Sequence, residues 1–380
     1  MDAERLARIP VRMKTFVDQG RISGAVTLVA RHGAIAELDA VGRQDIESNK
    51  PMRTDSIFQI MSMTKPFTAV GIMMLAEEGK LALTDPVAKL LPEFRGQWVI
   101  DGGDDKDTRA LKRPSRPITV RDLLTHTSGM RGDPPESAKE LLQTLSLTLA
   151  EAVALYSQQP LEFEPGTRWS YSNPGIATLG RIIEVVSDQP YEKFMAERIF
   201  KPLGMKDTFY FPIEEKIGRI AMLYNYEDGK LKRAGAESLA GDPAKYRKGA
   251  KYPCPECGLY STATDLAAFY QMVLNGGTAN GRRLLSRASV DLMTALHTGD
   301  LKAGHAVGMG YGLAWALVRE PIGSLSYRSI GTFGHGGAFG TEGWVDPKRD
   351  MVEVMLIQRE GGDDSERNAF FSLAASAITE

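Results

Sequence analysis

Short apolar runs of β type mark both ends of the 380-residue chain, and between them the apolar residues recur at helical intervals. Residues 24–30 and 34–40 are two such runs separated by Arg31-His32-Gly33, which predicts a hairpin. Near the other end, residues 311–318, 341–346 and 351–357 read as strands. The last two are joined by the turn Pro347-Lys348-Arg349-Asp350, and residues 365–378 follow as a closing helix. Residues 1–20 read as an amphipathic helix with Leu6, Ile9, Met13, Phe16 and Val17 on one side.

In the middle, helix starts are signalled by Asp85-Pro86, Thr119 with Asp122, Thr148 with Glu151, and Thr262 with Asp265. A side-chain oxygen at the N-cap can take an N–H that the first helical turn leaves unpaired. Residues 66–78 carry apolar side chains at helical spacing up to the stop at Gly79. Residues 176–186 and 191–200 do the same on either side of a break at Asp188-Gln189-Pro190. The Gly-, Pro- and charge-rich stretches 96–117 and 228–253 read as extended loops bordering a cleft. Together these features predict an α/β fold: an antiparallel sheet built from both chain ends and flanked by helices, with a mostly helical domain inserted. Residues 1–80 and 258–380 then form the sheet domain and 81–257 the insertion, with a site between them.

Composition narrows the function. At 43% hydrophobic and 25% charged the chain can bury a large core, and a net charge of −2 leaves no basic face for nucleic acid. No apolar run is long enough to span a membrane and no leader opens the chain, so a cytoplasmic location is the expectation. The only cysteines are Cys254 and Cys257, in Pro253-Cys254-Pro255-Glu256-Cys257-Gly258. Their spacing suits half a zinc site, but no second Cys or His pair lies near in sequence. Two reduced thiols in a turn are therefore expected, with a local disulfide as the next possibility.

The candidate chemistry starts at Ser62-Met63-Thr64-Lys65, where an apolar run opens into a helix. Positions three apart are neighbours on a helix, so the Lys65 amine can reach the Ser62 hydroxyl and, when neutral, take its proton. Pro66 suits a first turn, which places Ser62 among unpaired N–H groups at the positive end of the helix dipole. The bland alternative is a helix cap followed by a solvated lysine. A second element, Tyr171-Ser172-Asn173, sets a phenol and an amide two residues apart in a turn-rich setting, either a proton shuttle beside an anchor or a polar turn. A third is Gly334-His335-Gly336-Gly337-Ala338. Its bare glycines let a substrate lie against a strand edge, and the Ala338 N–H could join that of Ser62 in gripping an oxyanion. A β-bulge is the plain reading of the same residues.

In that order the three elements resemble the motifs of the serine β-lactamase-like superfamily, specifically the class C β-lactamase branch and its esterase relatives. Leu123-Leu124-Thr125-His126-Thr127-Ser128-Gly129, Glu164-Pro165-Gly166 and Pro202-Leu203-Gly204-Met205 are phrases typical of that family, and the likeness spans residues 24–357. The resemblance implies that Ser62 is acylated, that Lys65 and Tyr171 share proton transfer, and that Asn173 holds the lysine and the acyl group. A lysine cation beside Tyr171 would lower the phenol pKa and favour a phenolate base. In class C β-lactamases the third motif begins with lysine, whereas here the position is His335, largely neutral at pH 7. Family VIII carboxylesterases tolerate this change, so the resemblance implies a serine hydrolase of short-chain carboxylic esters with weak β-lactam hydrolysis at most.

The alternatives are a β-lactamase, D,D-peptidase or D-aminopeptidase using a charge from Arg131, Arg247 or Lys248, an acyltransferase, or a non-catalytic penicillin-binding sensor. No Gly-x-Ser-x-Gly occurs, which removes the nucleophile elbow of α/β-hydrolases. His32, His126, His297 and His305 lack metal-ligand spacing, so neither a metal nor another cofactor is expected. The expected partner is a small ester or amide substrate.

Overall fold

The computed structural model describes residues 1–102, 110–133, 135, 144–239, 242–245 and 247–379. Strands β1 (Gly24–Arg31), β2 (Ala34–Asp45) and β3 (Lys50–Pro51) come from the N-terminal end. Strands β4 (Met309–Tyr311), β5 (Ala316–Val318), β6 (Phe333–Gly337), β7 (Thr341–Asp346) and β8 (Met351–Leu356) come from the C-terminal end. Their order across the eight-stranded sheet is β4-β5-β6-β7-β8-β1-β2-β3, antiparallel throughout. The two ends of the chain meet in its interior, where Val26 lies opposite Leu356 and Leu28 opposite Val354.

Five helices matter most for the site: α1 (Arg8–Asp18), α2 (Lys65–Glu77), α3 (Asn173–Ser187), α4 (Ala263–Leu274) and α5 (Ser365–Ser376). Successive side chains of a strand point to opposite faces, and β1 accordingly feeds two cores. Val26, Leu28 and Ala30 join the cluster that holds Leu266, Phe269 and Val273 of α4, whereas Ala25 and Val29 join Ile9, Met13 and Phe16 of α1 and Phe370 of α5. Each of the larger of these side chains, from Val to Phe, contributes about 1.5–3 kcal/mol by leaving water. The first cluster continues without a break into Val70 and Ile72 of α2 and Ile176, Leu179 and Ile183 of α3, so α2 is buried on nearly every side.

Several expectations are refined. The amphipathic N-terminal helix is interrupted at Ala7, giving Ala3–Leu6 and then α1. The run 311–318 is not one strand but the end of β4, a turn and β5. Ala314 adopts a left-handed φ of 61° and donates its N–H to the Leu124 carbonyl, a tertiary bond that period-two patterning does not encode. The stretch 96–117 carries a short ladder, Val99–Asp101 against Ala110–Lys112, with 103–109 outside the described residues. Similarly, Lys230–Arg233 in the stretch 228–253 pairs with Tyr224–Glu227. Thr119 and Thr148 form reciprocal capping boxes with Asp122 and Glu151. Thr262 caps the Asp265 N–H, but the Asp265 carboxylate turns away to accept from the Asp207 N–H and the Thr208 hydroxyl. Among the described residues no helix is long and apolar enough to cross a membrane.

Candidate active site

Ser62 lies in a single 3-10 turn, Met61–Thr64, that runs directly into α2, with Pro66 in the first helical turn as expected. Met61 takes a left-handed φ of 48°, uncommon for a residue with a side chain and of the kind found where a backbone is held for a purpose. Lys65 opens α2. Its Nζ donates to Ser62 Oγ at 3.0 Å and to the Glu256 carbonyl oxygen at 2.9 Å. The lysine is wholly buried. Burial disfavours the ammonium form and the nearby Glu256 carboxyl offsets only part of this, so the pKa falls to about 7. Near neutral pH the amine therefore has a lone pair available to the hydroxyl.

The second anchor of Lys65 comes from the cysteine turn. Cys254 and Cys257 form a disulfide, in place of the expected free thiols. Cys254 takes a left-handed φ of 57°, and its carbonyl accepts from the N–H groups of Cys257 and Gly258, which folds the segment tightly enough to bring the sulfurs together. The turn points two carbonyls at α2: Pro255 accepts from Thr68 Oγ1 at 2.7 Å and Glu256 accepts from Lys65. Gly180 of α3 makes room for it, since a Cβ there would overlap the Pro255 ring. The Glu256 side chain is also buried. Its Oε1 accepts from the Tyr252 hydroxyl at 2.8 Å, Oε2 has no partner among the described residues, and burial pushes its pKa up.

Tyr171 stands beside Ser62 in the same cavity, and its ring centre lies 4.7 Å from Lys65 Nζ. Burial raises the phenol pKa, and the neighbouring Ser62 hydroxyl opposes this without reversing it. The expected phenolate is therefore disfavoured: a lysine that is itself near neutrality supplies little stabilising charge. Asn173 starts α3, capped by Ser172, whose Oγ accepts from the Gly175 N–H and donates to the Arg131 carbonyl. The lysine's second hydrogen bond goes to Glu256, not to Asn173 as the resemblance implied.

His335, Gly336 and Gly337 end β6, and Ala338 begins the turn after it. His335 Nδ1 lies 2.6 Å from the Gly336 carbonyl, which can only accept, so Nδ1 carries the proton. Nε2 then accepts from the Tyr311 hydroxyl at 3.0 Å. Burial, followed by the Lys65 charge, lowers the His335 pKa to about 3, and the ring is neutral at pH 7. Gly337 is bare of necessity, because a Cβ would overlap the Ile60 carbonyl and Thr341 Oγ1. That contact brings β6 against the Ser62 turn. Among the described residues the N–H groups of Ser62 and Ala338 donate to no backbone carbonyl, and both residues line one cavity of about 320 Å³ with Tyr171, His335, Gly336 and Gly337.

Other cavity residues were not legible in the motifs. His305, Tyr311, Met309, Trp344, Arg328, Glu342 and Arg367 share the walls. His126 packs its ring 4.6 Å from that of Tyr171 and 5.0 Å from that of Tyr311, and its Nδ1 accepts from the Ser172 N–H. It acts on the shape of the loop. The sequence carried a trace of it in Thr125-His126-Thr127, where His126 adopts a left-handed φ of 57°. The cations weighed from sequence lie elsewhere: Arg247 is spent on the carbonyls of Tyr210, Tyr252 and Gly258, and neither Arg131 nor Lys248 lines the cavity. Arg328 and Arg367 do.

The chain is similar to several known proteins in sequence and fold. A protein of Mycobacterium tuberculosis, Protein Rv1367c, is 34% identical over 370 residues, covering 91% of this chain and 88% of its own. Esterase EstB of Burkholderia gladioli is 29% identical over 381 residues, covering 94% and 91%. Among solved structures, EstCE1, a hydrolase with promiscuous acyltransferase activity, superposes with a TM-score of 0.84 at 26% identity, covering 99% of this chain and 98% of its own. With the description "Beta-lactamase" matching residues 12–377, the chain belongs to the Beta-lactamase family.

Proposed function

We propose that the chain is a serine hydrolase that cleaves short-chain carboxylic esters through an acyl-enzyme on Ser62. The observation that carries this reading is the buried Lys65 amine, its pKa near 7, held 3.0 Å from the Ser62 hydroxyl. In the first half-reaction Lys65 takes the Ser62 proton as the oxygen attacks the ester carbonyl. The negative charge that develops on the carbonyl oxygen is held by the N–H groups of Ser62 and Ala338, a stabilisation worth about 3–4 kcal/mol per donor. Collapse expels the alcohol, which leaves with the proton relayed from Lys65 through the Tyr171 hydroxyl. Water then attacks the acyl-enzyme, giving up its proton to the same pair and freeing the acid.

Neutral His335 places no fixed charge at the third motif, so no cation stands at that position to meet a β-lactam carboxylate. Esterase EstB and EstCE1 support the ester as substrate by likeness. The reading also divides the chain at 81 and 257, with substrate entering between the two parts. Ser62→Ala is the test: turnover of p-nitrophenyl butyrate should vanish, together with the mass increase on treatment with a fluorophosphonate, while the fold is retained. Activity above a few per cent would remove Ser62 from the role.

A further inference from the structure

Arg328 is a buried arginine whose needs the protein leaves unmet. It is 5% exposed, and its guanidinium lies 3.7 Å from the ring centre of Trp344 and 3.9 Å from that of Phe371, sandwiched between them. Stacking satisfies the faces of the cation but none of its edge N–H groups. Among the described residues Nε and Nη1, both sealed from solvent, have no hydrogen-bond partner. A buried donor without an acceptor is costly, so such a group is either a fault or one half of a contact completed by something else.

The charges around it do not complete the contact. Glu342 is taken by Trp344 Nε1 at 2.6 Å and by Arg367 Nη1 at 3.2 Å, and Asp346 pairs with Arg349. Glu353 interacts with Arg328 through charge alone, and burial pushes its pKa up to about 7, which weakens it as a fixed anion. Arg367 and Arg349 thus have carboxylate partners while Arg328 has none bonded to it. The same arginine lines the cavity that holds Ser62, Tyr171 and Ala338, along with the apolar Met309, Ala316 and Leu325.

We propose that Arg328 is a substrate-binding residue, and that the preferred substrates are esters bearing a carboxylate on a chain that crosses the apolar wall from Ser62. With Nε and Nη1 sealed, the carboxylate would meet the guanidinium at Nη2 in a single charge-assisted hydrogen bond. The bond formed at Ser62 is unchanged, and the carboxylate serves only to hold the chain. This inference rests on the hydrolase reading and adds to it the class of substrate.

The test compares mono-p-nitrophenyl adipate with p-nitrophenyl hexanoate, equal in chain length and differing in the terminal carboxylate. The wild type should favour the adipate hemiester in kcat/KM by about tenfold to 100-fold, the scale of one charge-assisted contact. Arg328→Met, which can still pack between the two rings, should lower that ratio by tenfold or more, and Arg328→Lys should restore part of it. A wild-type ratio at or below one overturns the proposal even if both variants fail to fold. Calorimetric binding of adipate and hexanoate to Ser62→Ala protein reads the same contact without turnover. Tighter binding of adipate, lost in the Ser62→Ala/Arg328→Met double variant, supports the subsite even if neither ester is hydrolysed. Ester turnover with no adipate preference in either measurement overturns the subsite and leaves the hydrolase reading standing.

Discussion

Thr341 Oγ1 donates to the Ile60 carbonyl oxygen at 3.0 Å, tying the start of β7 to the residue that precedes the Ser62 turn. The bare backbone of Gly337 packs against the same carbonyl, so turn and strand are held together where an oxyanion would sit. Gly337→Ala should push the two apart and cut kcat for p-nitrophenyl butyrate by about 100-fold or more, the cost of misplacing one oxyanion donor. Thr341→Val, which removes only the hydrogen bond, should cost less. Equal activity of Gly337→Ala and wild type would show that the close approach is not needed for catalysis.

Lys65 sets the pH dependence. Its pKa is depressed to about 7, so the amine is free to accept a proton above that value and charged below it. On the acid side kcat/KM should fall by about tenfold per pH unit, with a plateau above the midpoint. Lys65→Met should lower acylation by about 100-fold to 10,000-fold, and Tyr171→Phe should lower it on the same scale without shifting the midpoint. A midpoint that moves on replacing the phenol would assign the titration to Tyr171.

His335, with its pKa near 3, stays neutral through any ordinary assay range, and its replacement should leave the acid-limb midpoint in place. His335→Ala instead strips the buried Tyr311 hydroxyl of its acceptor. The expected cost is about 1–3 kcal/mol in urea unfolding. A shifted midpoint would mean that the imidazole carries charge near neutrality.

The disulfide joins folding to chemistry, because the turn it closes presents the Glu256 carbonyl to Lys65. Cys254→Ser with Cys257→Ser should lower stability by about 2 kcal/mol, the chain-entropy value for so short a loop. A slacker turn admits water to the amine, weakening the desolvation that depresses its pKa. The acid-limb midpoint should therefore move to higher pH, as read from a pH–rate profile beside that of the wild type.

What sequence could show followed local rules. The boxes at Thr119 and Thr148 are set by residues three apart, and the hairpin at His32-Gly33 by backbone preference, so both were readable. The Ser62 and Lys65 pairing was readable for the same reason, a contact within one turn. Glu256, Tyr311 and Arg328 were not, because each reaches the site through pairings far apart in the chain and carries no motif of its own. Asn173 shows the reverse: it was given the lysine by its motif, yet the lysine's remaining bond goes to a carbonyl from the cysteine turn. The phenolate expectation failed because burial, invisible to sequence, outweighs a neighbouring cation that is itself half discharged.

Because β1 is hydrogen-bonded to β8 inside the sheet, the catalytic pocket exists only after synthesis has passed Leu356. A nascent or prematurely terminated chain that stops short of the turn after β6 would carry Ser62 and Lys65 yet lack the Ala338 amide. Such products should be inert toward esters, which spares the cell a half-built nucleophile during synthesis, and assembly should wait on slow closure between distant ends.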